Sequence, residues 1–182
     1  MELLQSERTY CENIEFVIKK VMIPAQTFLN DAQLHKDLFS NIEQIYAIHK
    51  YFLNALEPAI NNYNPHSTQL SQVLLTNLFN RDEFKKAYTD YCYHYRITDQ
   101  AIKTVMTGNT AFIEHFKTIG LTSISLTLES YMIKPVQRLC KYGLIINEYF
   151  RNMETDHIDY KDIEKTSLLI NKLVHETNDQ VE

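Results

Sequence analysis

The sequence has no tryptophan and, in 182 residues, only three glycines and four prolines. Breakers this sparse argue against a fold of many short strands and tight turns and favour long uninterrupted helices. Cysteine is also scarce. Cys11, Cys92 and Cys140 are far apart, odd in number and lack any Cys-x-x-Cys pair, which speaks against a disulfide framework or a zinc site. They read as reduced, mostly buried thiols of a cytoplasmic protein. No run of about 18 apolar residues occurs, so no membrane span is expected. Met1 is followed at once by an amphipathic segment carrying Glu2, Glu7 and Arg8 rather than by a leader pattern. A surplus of basic charge is missing too. The formal net charge is −5, a poor match for a nucleic-acid backbone, which calls for clustered Lys and Arg.

What is present is an ordinary globular composition, 45% hydrophobic and 23% charged, in a chain long enough to bury one sizeable core. Apolar residues recur at helical spacing. A first helix is predicted from about Glu2 to Ile23, stopped near Pro24, with Leu3, Tyr10, Ile14, Val17 and Val21 on one stripe. A second is predicted from about Lys36 to Ile60, followed by a polar turn through Pro65. The segment from about Thr68 to Thr107 reads as a short and a long helix, with Asp82 as N-cap of the latter. Its aromatics, Phe84, Tyr88, Tyr91, Tyr93 and Tyr95, read as core and flank. A short helix spans Thr110 to Ile119. Another spans Ser125 to Ile133, and Pro135 then opens a helix running to about Asn152. A last helix runs from about Asp159 to the end. The expected fold is all-α: a single domain over residues 1–182, an elongated bundle of about six main helices.

Polar residues at positions where the period wants apolar ones mark candidate sites. Glu7 falls about 40° from Leu3 and about 20° from Ile14 on a helical wheel. Inside the stripe a carboxylate is costly unless paired. Either it is solvated at a frayed helix end, or that end of the stripe faces a partner. In the helix after Pro135, Val136, Leu139, Cys140, Gly143, Ile146 and Phe150 form one arc. Lys134, Gln137, Arg138, Lys141, Ile145 and Glu148 lie opposite, an unusually basic face for an acidic chain; Arg138 and Lys141, three apart, can present together. Asn178 sits at the edge of the last helix's stripe, made by Ile163, Ile170, Val174 and Val181. Phosphate-loop, dinucleotide, metalloprotease and serine-hydrolase motifs are all missing, and the seven histidines are dispersed, so no metal or other cofactor is expected.

Three segments carry a family resemblance. Residues Glu2 to Tyr10, reading ELLQSERTY, resemble the opening Dbl-homology motif E-L-L-x-T-E-x-x-Y. Residues Leu128 to Tyr142, reading LESYMIKPVQRLCKY, resemble that family's longest motif, L-x-S-Y-L-I-K-P-x-Q-R-x-x-K-Y. Phe39 to Leu56 is similar to its middle region. Ser6 replaces the usual Thr, and Gly143 a common Pro. The resemblance implies a guanine nucleotide exchange factor for a Rho-family GTPase, acting without covalent chemistry. The alternative is an exchange-dead helical scaffold of the same fold. It also implies roles: Glu7 would engage switch I, Lys141 and Asn178 switch II, and Ile133 would read the strands between the switches, flanked by Lys134, Gln137 and Arg138. An exposed Ile133 beside Lys134 suits a flat aromatic surface, and the resemblance implies that this surface is a strand tryptophan of a Rac-like partner. The segment is expected to be cut at both ends and to lack a following pleckstrin-homology domain, with recruitment to the inner face of the plasma membrane left to regions outside it.

Overall fold

The computed structural model describes residues 2–120 and 127–181, with side chains as far as Thr177. Among the described residues every regular element is helical. Helix α1 (Glu2–Val17) continues through a π turn (Ile18–Met22) and a last turn, Ile23–Ala25. Then follow α2 (Ala32–Phe39), α3 (Ile42–Asn61), α4 (Leu70–Leu74) with its own π turn (Leu75–Phe79), and α5 (Asp82–Gly108). The chain ends with α6 (Thr110–Thr118), α7 (Leu128–Met132), α8 (Lys134–Arg151) and α9 (Tyr160–Val181).

Local chemistry explains most of the boundaries. Pro24 does not stop the first helix where it stands. In the wide turn before it, Ile23 N–H reaches back to Ile18 C=O, and the helix runs on to Ala25. The single helix expected over Lys36 to Ile60 is two. Ser40, at φ 47°, turns the chain between α2 and α3, and Asn41 Nδ2 ties this corner to Ala87 C=O of α5 at 2.9 Å. Asp31 caps α2 by accepting from Gln33 and Leu34 N–H at 2.9 and 3.0 Å. Asn109 caps α6 by accepting from Phe112 N–H at 2.9 Å. Asp82 is not the N-cap of α5 but its first residue; Arg81, in extended conformation, holds the cap position. The first part of the helix expected from Ser125 lies outside the described residues, and α7 begins at Leu128 with Thr127 accepting from Ser130 N–H at 3.2 Å.

The 27-residue α5 is about 40 Å long and forms the spine. Helices α2, α3, α6, α7, α8 and α9 all lean on it, while α1 packs along α3 and α9 along α8. One continuous core joins them, with Phe84, Tyr88 and Tyr91 of α5 among its largest fully buried side chains. Tyr95 is buried as well, and Tyr93 is 73% exposed. Cys11 and Cys92 are buried and Cys140 is half-buried. Gly143 sits mid-helix against α9, where a Cβ would stand 3.4 Å from Asn171 Oδ1.

Candidate functional site

The first turns of α1 and of α8 lie side by side across a groove of about 470 Å³. The α1 wall is a polar stripe, Glu2, Gln5, Thr9 and Asn13, spaced three to four residues apart along one helix edge. The α8 wall is Lys134, Gln137 and Lys141. Glu2, Gln137 and Lys141 are exposed. Lys134 is half-buried, with its ammonium 5.4 Å from the centre of the Tyr131 ring. Around α8 from the groove lies an apolar strip in which Ile133, Val136 and Leu144 line one surface with Glu2 and Lys141. Leu144 is 72% exposed.

Of the residues singled out from sequence, Glu7 does not line the groove, and Arg138 lies at its floor with Ser6 and Tyr10 rather than on its exposed wall. Glu7 is fully buried, and Arg138 is only 3% exposed. Glu7 therefore neither frays into solvent nor faces a partner. Its carboxylate accepts from His49 Nδ1 at 2.6 Å, from Tyr142 OH at 2.5 Å and from Arg138 Nη2. His49 Nε2 meets Tyr88 OH at 2.6 Å, and Tyr88 OH meets Tyr10 OH at 3.0 Å. Arg138 also donates to Ser6 Oγ at 3.0 Å and lies over the Tyr142 ring at 4.3 Å. His49 thus bridges the Glu7 carboxylate and the Tyr88 hydroxyl through its two ring nitrogens. One buried carboxylate and one buried guanidinium then cancel in charge, the condition under which such groups tolerate burial.

The electrostatics follow from this geometry. Burial alone would push the Glu7 carboxyl up. His49, by charge and hydrogen bond, then Arg138 and the Tyr142 hydroxyl, outweigh it and hold the group down at about 2. Burial works against the Arg138 charge, but Tyr142 and Glu7 shift that group upward. Burial raises the Cys11 thiol to about 12, which leaves it unreactive.

The basic arc expected on α8 is thus rotated. Pro135, Arg138, Leu139, Tyr142, Gly143 and Ile146 face inward, while Val136 and Cys140, expected inside, are half-buried. The physical reason is the ion pair, which brings Arg138 into the core. Ile133, expected to point outward, is half-buried and packs partly against the core. Asn178 belongs to α9, but its side chain lies outside the described residues. Sequence reasoning missed Glu2. Its signal was available: on the helical wheel it lies well off the apolar stripe and opens the polar one.

Among the described residues no cluster of His, Cys, Asp and Glu is arranged to hold a metal ion. No helix among them is long and apolar enough to cross a membrane.

Similar proteins share both sequence and fold. The chain is 30% identical over 98% of its length to the myosin-M heavy chain of Dictyostelium discoideum. It is 28% identical over 90% of its length to Rho guanine nucleotide exchange factor 4 of Homo sapiens. The human phosphatidylinositol 3,4,5-trisphosphate-dependent Rac exchanger 2 protein is also 28% identical, over 87% of the chain. The chain spans 10%, 24% and 10% of these relatives in turn. Among solved structures, the Vav1 exchange factor covers 97% of the chain at a TM-score of 0.82 and 23% identity, the chain spanning 47% of it. The PDZ-RhoGEF DH/PH domains, in complex with activated RhoA, cover 99% at 0.86 and 18% identity, the chain spanning 51%. At these identities the structures speak for the fold alone. The RhoGEF domain family matches residues 1–178. A helical fold with Dbl-homology neighbours and a match over nearly every residue lead to one conclusion: the chain belongs to the RhoGEF, or Dbl-homology, domain family.

Proposed function

We propose that this chain speeds guanine nucleotide release from a Rho-family GTPase, with a preference for a Rac-like one. The observation that carries the reading is the α1–α8 surface, where an exposed acid, an exposed amide and an exposed ammonium (Glu2, Gln137 and Lys141) border an uncovered apolar strip. Paired polar anchors beside an open apolar patch are what a protein partner requires.

The mechanism needs no covalent step. A nucleotide held at picomolar strength is bound by about 16 kcal/mol. An exchange factor offsets this by binding the nucleotide-free GTPase, displacing the loops that close over nucleotide and magnesium; by linkage, nucleotide weakens the complex in return. Glu2 takes the switch I role first assigned to Glu7, because Glu7 has no path to a partner. Lys141 and Asn178 retain switch II. Arg138, 3% exposed at the floor of the groove and paired with Glu7, leaves the set of flanking contacts, and Lys134 and Gln137 stay in it. Ile133, with Val136 and Leu144, supplies the apolar strip that meets the tryptophan-bearing strands of a Rac-like partner.

Release of a fluorescent GDP analogue, measured across a panel of Rho-family GTPases, tests the reading. Acceleration of at least one member, strongest for a Rac-like GTPase, is the expected result. Binding to nucleotide-free GTPase with no acceleration would identify the exchange-dead scaffold instead, and no binding at all would overturn both.

A further inference from the structure

Helix α1 packs along α3 and α7, and α8 along α5 and α9, but α1 and α8 make little direct backbone approach to each other. Their two walls of the groove are nevertheless held at a definite spacing. What spans the gap beneath it is a set of long polar side chains. Arg138 and Tyr142 reach from α8 to the Glu7 carboxylate, and Arg138 forks further to Ser6 Oγ on the preceding position of α1. His49 of α3 braces the same carboxylate from the other side, and it is itself braced by Tyr88 of α5. Glu7, His49 and Tyr142 are fully buried, and Arg138 nearly so. A fork of planar guanidinium on carboxylate is directional in a way that packed aliphatic side chains are not.

We infer that Glu7 and Arg138 are positioning residues, a buried lock that fixes the distance and rotation between α1 and α8 so that Glu2 meets the partner in register with Gln137 and Lys141. The lock touches nothing on the partner. It acts on exchange through geometry alone, and it rests on the reading of the exposed surface given above. Displacement of a contact by about 1 Å can cost roughly a hundredfold in rate, so a loosened lock weakens exchange even when the helices remain folded.

Two variants and two readouts separate positioning from plain stability. Glu7→Gln keeps the shape and removes the charge. The double replacement Glu7→Gln with Arg138→Met removes both charges together and keeps an acceptor for His49 and Tyr142, a change of the kind that commonly restores stability to a protein that has lost a buried ion pair. Spin labels at Glu12→Cys on α1 and Leu144→Cys on α8, in a Cys140→Ser background, report the spacing of the two helices without any GTPase present. Nucleotide release is followed in parallel in proteins without the labels. The expected result is a broadened spacing in both variants, with exchange reduced by roughly ten- to a hundredfold, including in the double variant after its melting temperature has recovered. If exchange recovers along with the melting temperature, the pair is merely structural and the inference fails. It also fails if the spacing stays as narrow as in the parent protein, or if it broadens while exchange is unchanged. A parent protein inactive on every GTPase would overturn the proposed function instead, leaving the spacing measurement to judge the lock on its own.

Discussion

Glu7 sits inside the apolar stripe of α1, and its carboxylate is held by donors from α3 and α8. In the unfolded chain it titrates near its ordinary value of 4.5, and in the folded protein at about 2. Between those values the unfolded chain takes up a proton that the folded one refuses. Stability is therefore fully present above pH 4.5 and falls as the pH drops towards 2. The difference corresponds to about 3 kcal/mol. Acid unfolding followed by circular dichroism should be steep in this window, and Glu7→Gln should flatten it while lowering stability at neutral pH. An unaltered acid limb in that variant would show that other carboxyls govern it. The exposed residues should behave in the opposite sense. Lys141→Ala and Glu2→Ala are expected to cut nucleotide release severely while stability moves by less than about 0.5 kcal/mol, as at ordinary surface positions. Normal exchange rates in both would remove them from the site. Periodicity located Glu7 as an anomaly but could not say what satisfied it, because His49, Arg138 and Tyr142 are 42, 131 and 135 residues away. Lys141 and Gln137 were legible because their exposure follows from their own helix. Glu2 was overlooked in favour of the more conspicuous acid five positions on.

At the scale of elements, most helices could be read from breakers and apolar spacing, and the largest discrepancy, the split of the helix expected over Lys36 to Ile60, falls where no breaker stands. The corner between α2 and α3 contains neither Gly nor Pro; Ser40 makes it at φ 47° and ψ −131°. That is a region where a side chain is strained by about 1–3 kcal/mol. Ser40→Gly is expected to raise stability by about 1 kcal/mol, readable as a higher melting temperature; a lower one would mean that the Ser40 hydroxyl contact with Asn41 outweighs the relief. A second element-scale device joins α4 to the start of α9. Asp159, fully buried, accepts from the Ser71 backbone N–H at 3.0 Å and from the Ser71 hydroxyl, so a residue just before α9 satisfies an open donor in the first turn of α4. Asp159→Ala leaves both donors unpaired and should destabilise the protein by about 1–3 kcal/mol. Ser71→Ala is expected to cost a comparable amount, since it leaves part of the carboxylate unanswered. Additivity of the two in the double variant would deny the interaction; strong non-additivity is expected for groups in direct contact.

For the molecule as a whole, the net charge of −5 gives little guidance to how it meets a partner. Arg138 adds nothing to the outer field because Glu7 cancels it inside, so the attraction at the groove comes from Lys134 and Lys141, set against Glu2. Rim charges of this kind act chiefly on the rate of encounter. Raising the salt towards about 1 M, where the screening length shrinks to about 3 Å, should slow association with the GTPase more than it speeds dissociation. Stopped-flow association rates independent of salt would count against Lys134 and Lys141 as steering groups. The all-helical class was evident from the scarcity of breakers, and so was the break after Gly108; the corner at Ser40, which divides the single helix expected over Lys36 to Ile60, was not. Long-range arrangement, above all the meeting of α1 with α8, could not be deduced from local pattern, because it is built by side chains that lie more than a hundred positions apart.

The buried set of Glu7, His49, Tyr88, Arg138 and Tyr142 also bears on how such a chain can change over time. Each member satisfies another, so a single substitution strands its neighbours in a dry interior and is selected against before a second can compensate. The five are expected to persist, or to disappear, as a unit during descent. The outer rim, by contrast, carries exposed side chains whose replacement costs little stability, so each can change singly along with the partner it meets. An ancestral framework frozen at its centre and permissive at its edge offers a simple route by which copies of one gene could acquire different GTPases while the device that holds the two helices in register stayed the same.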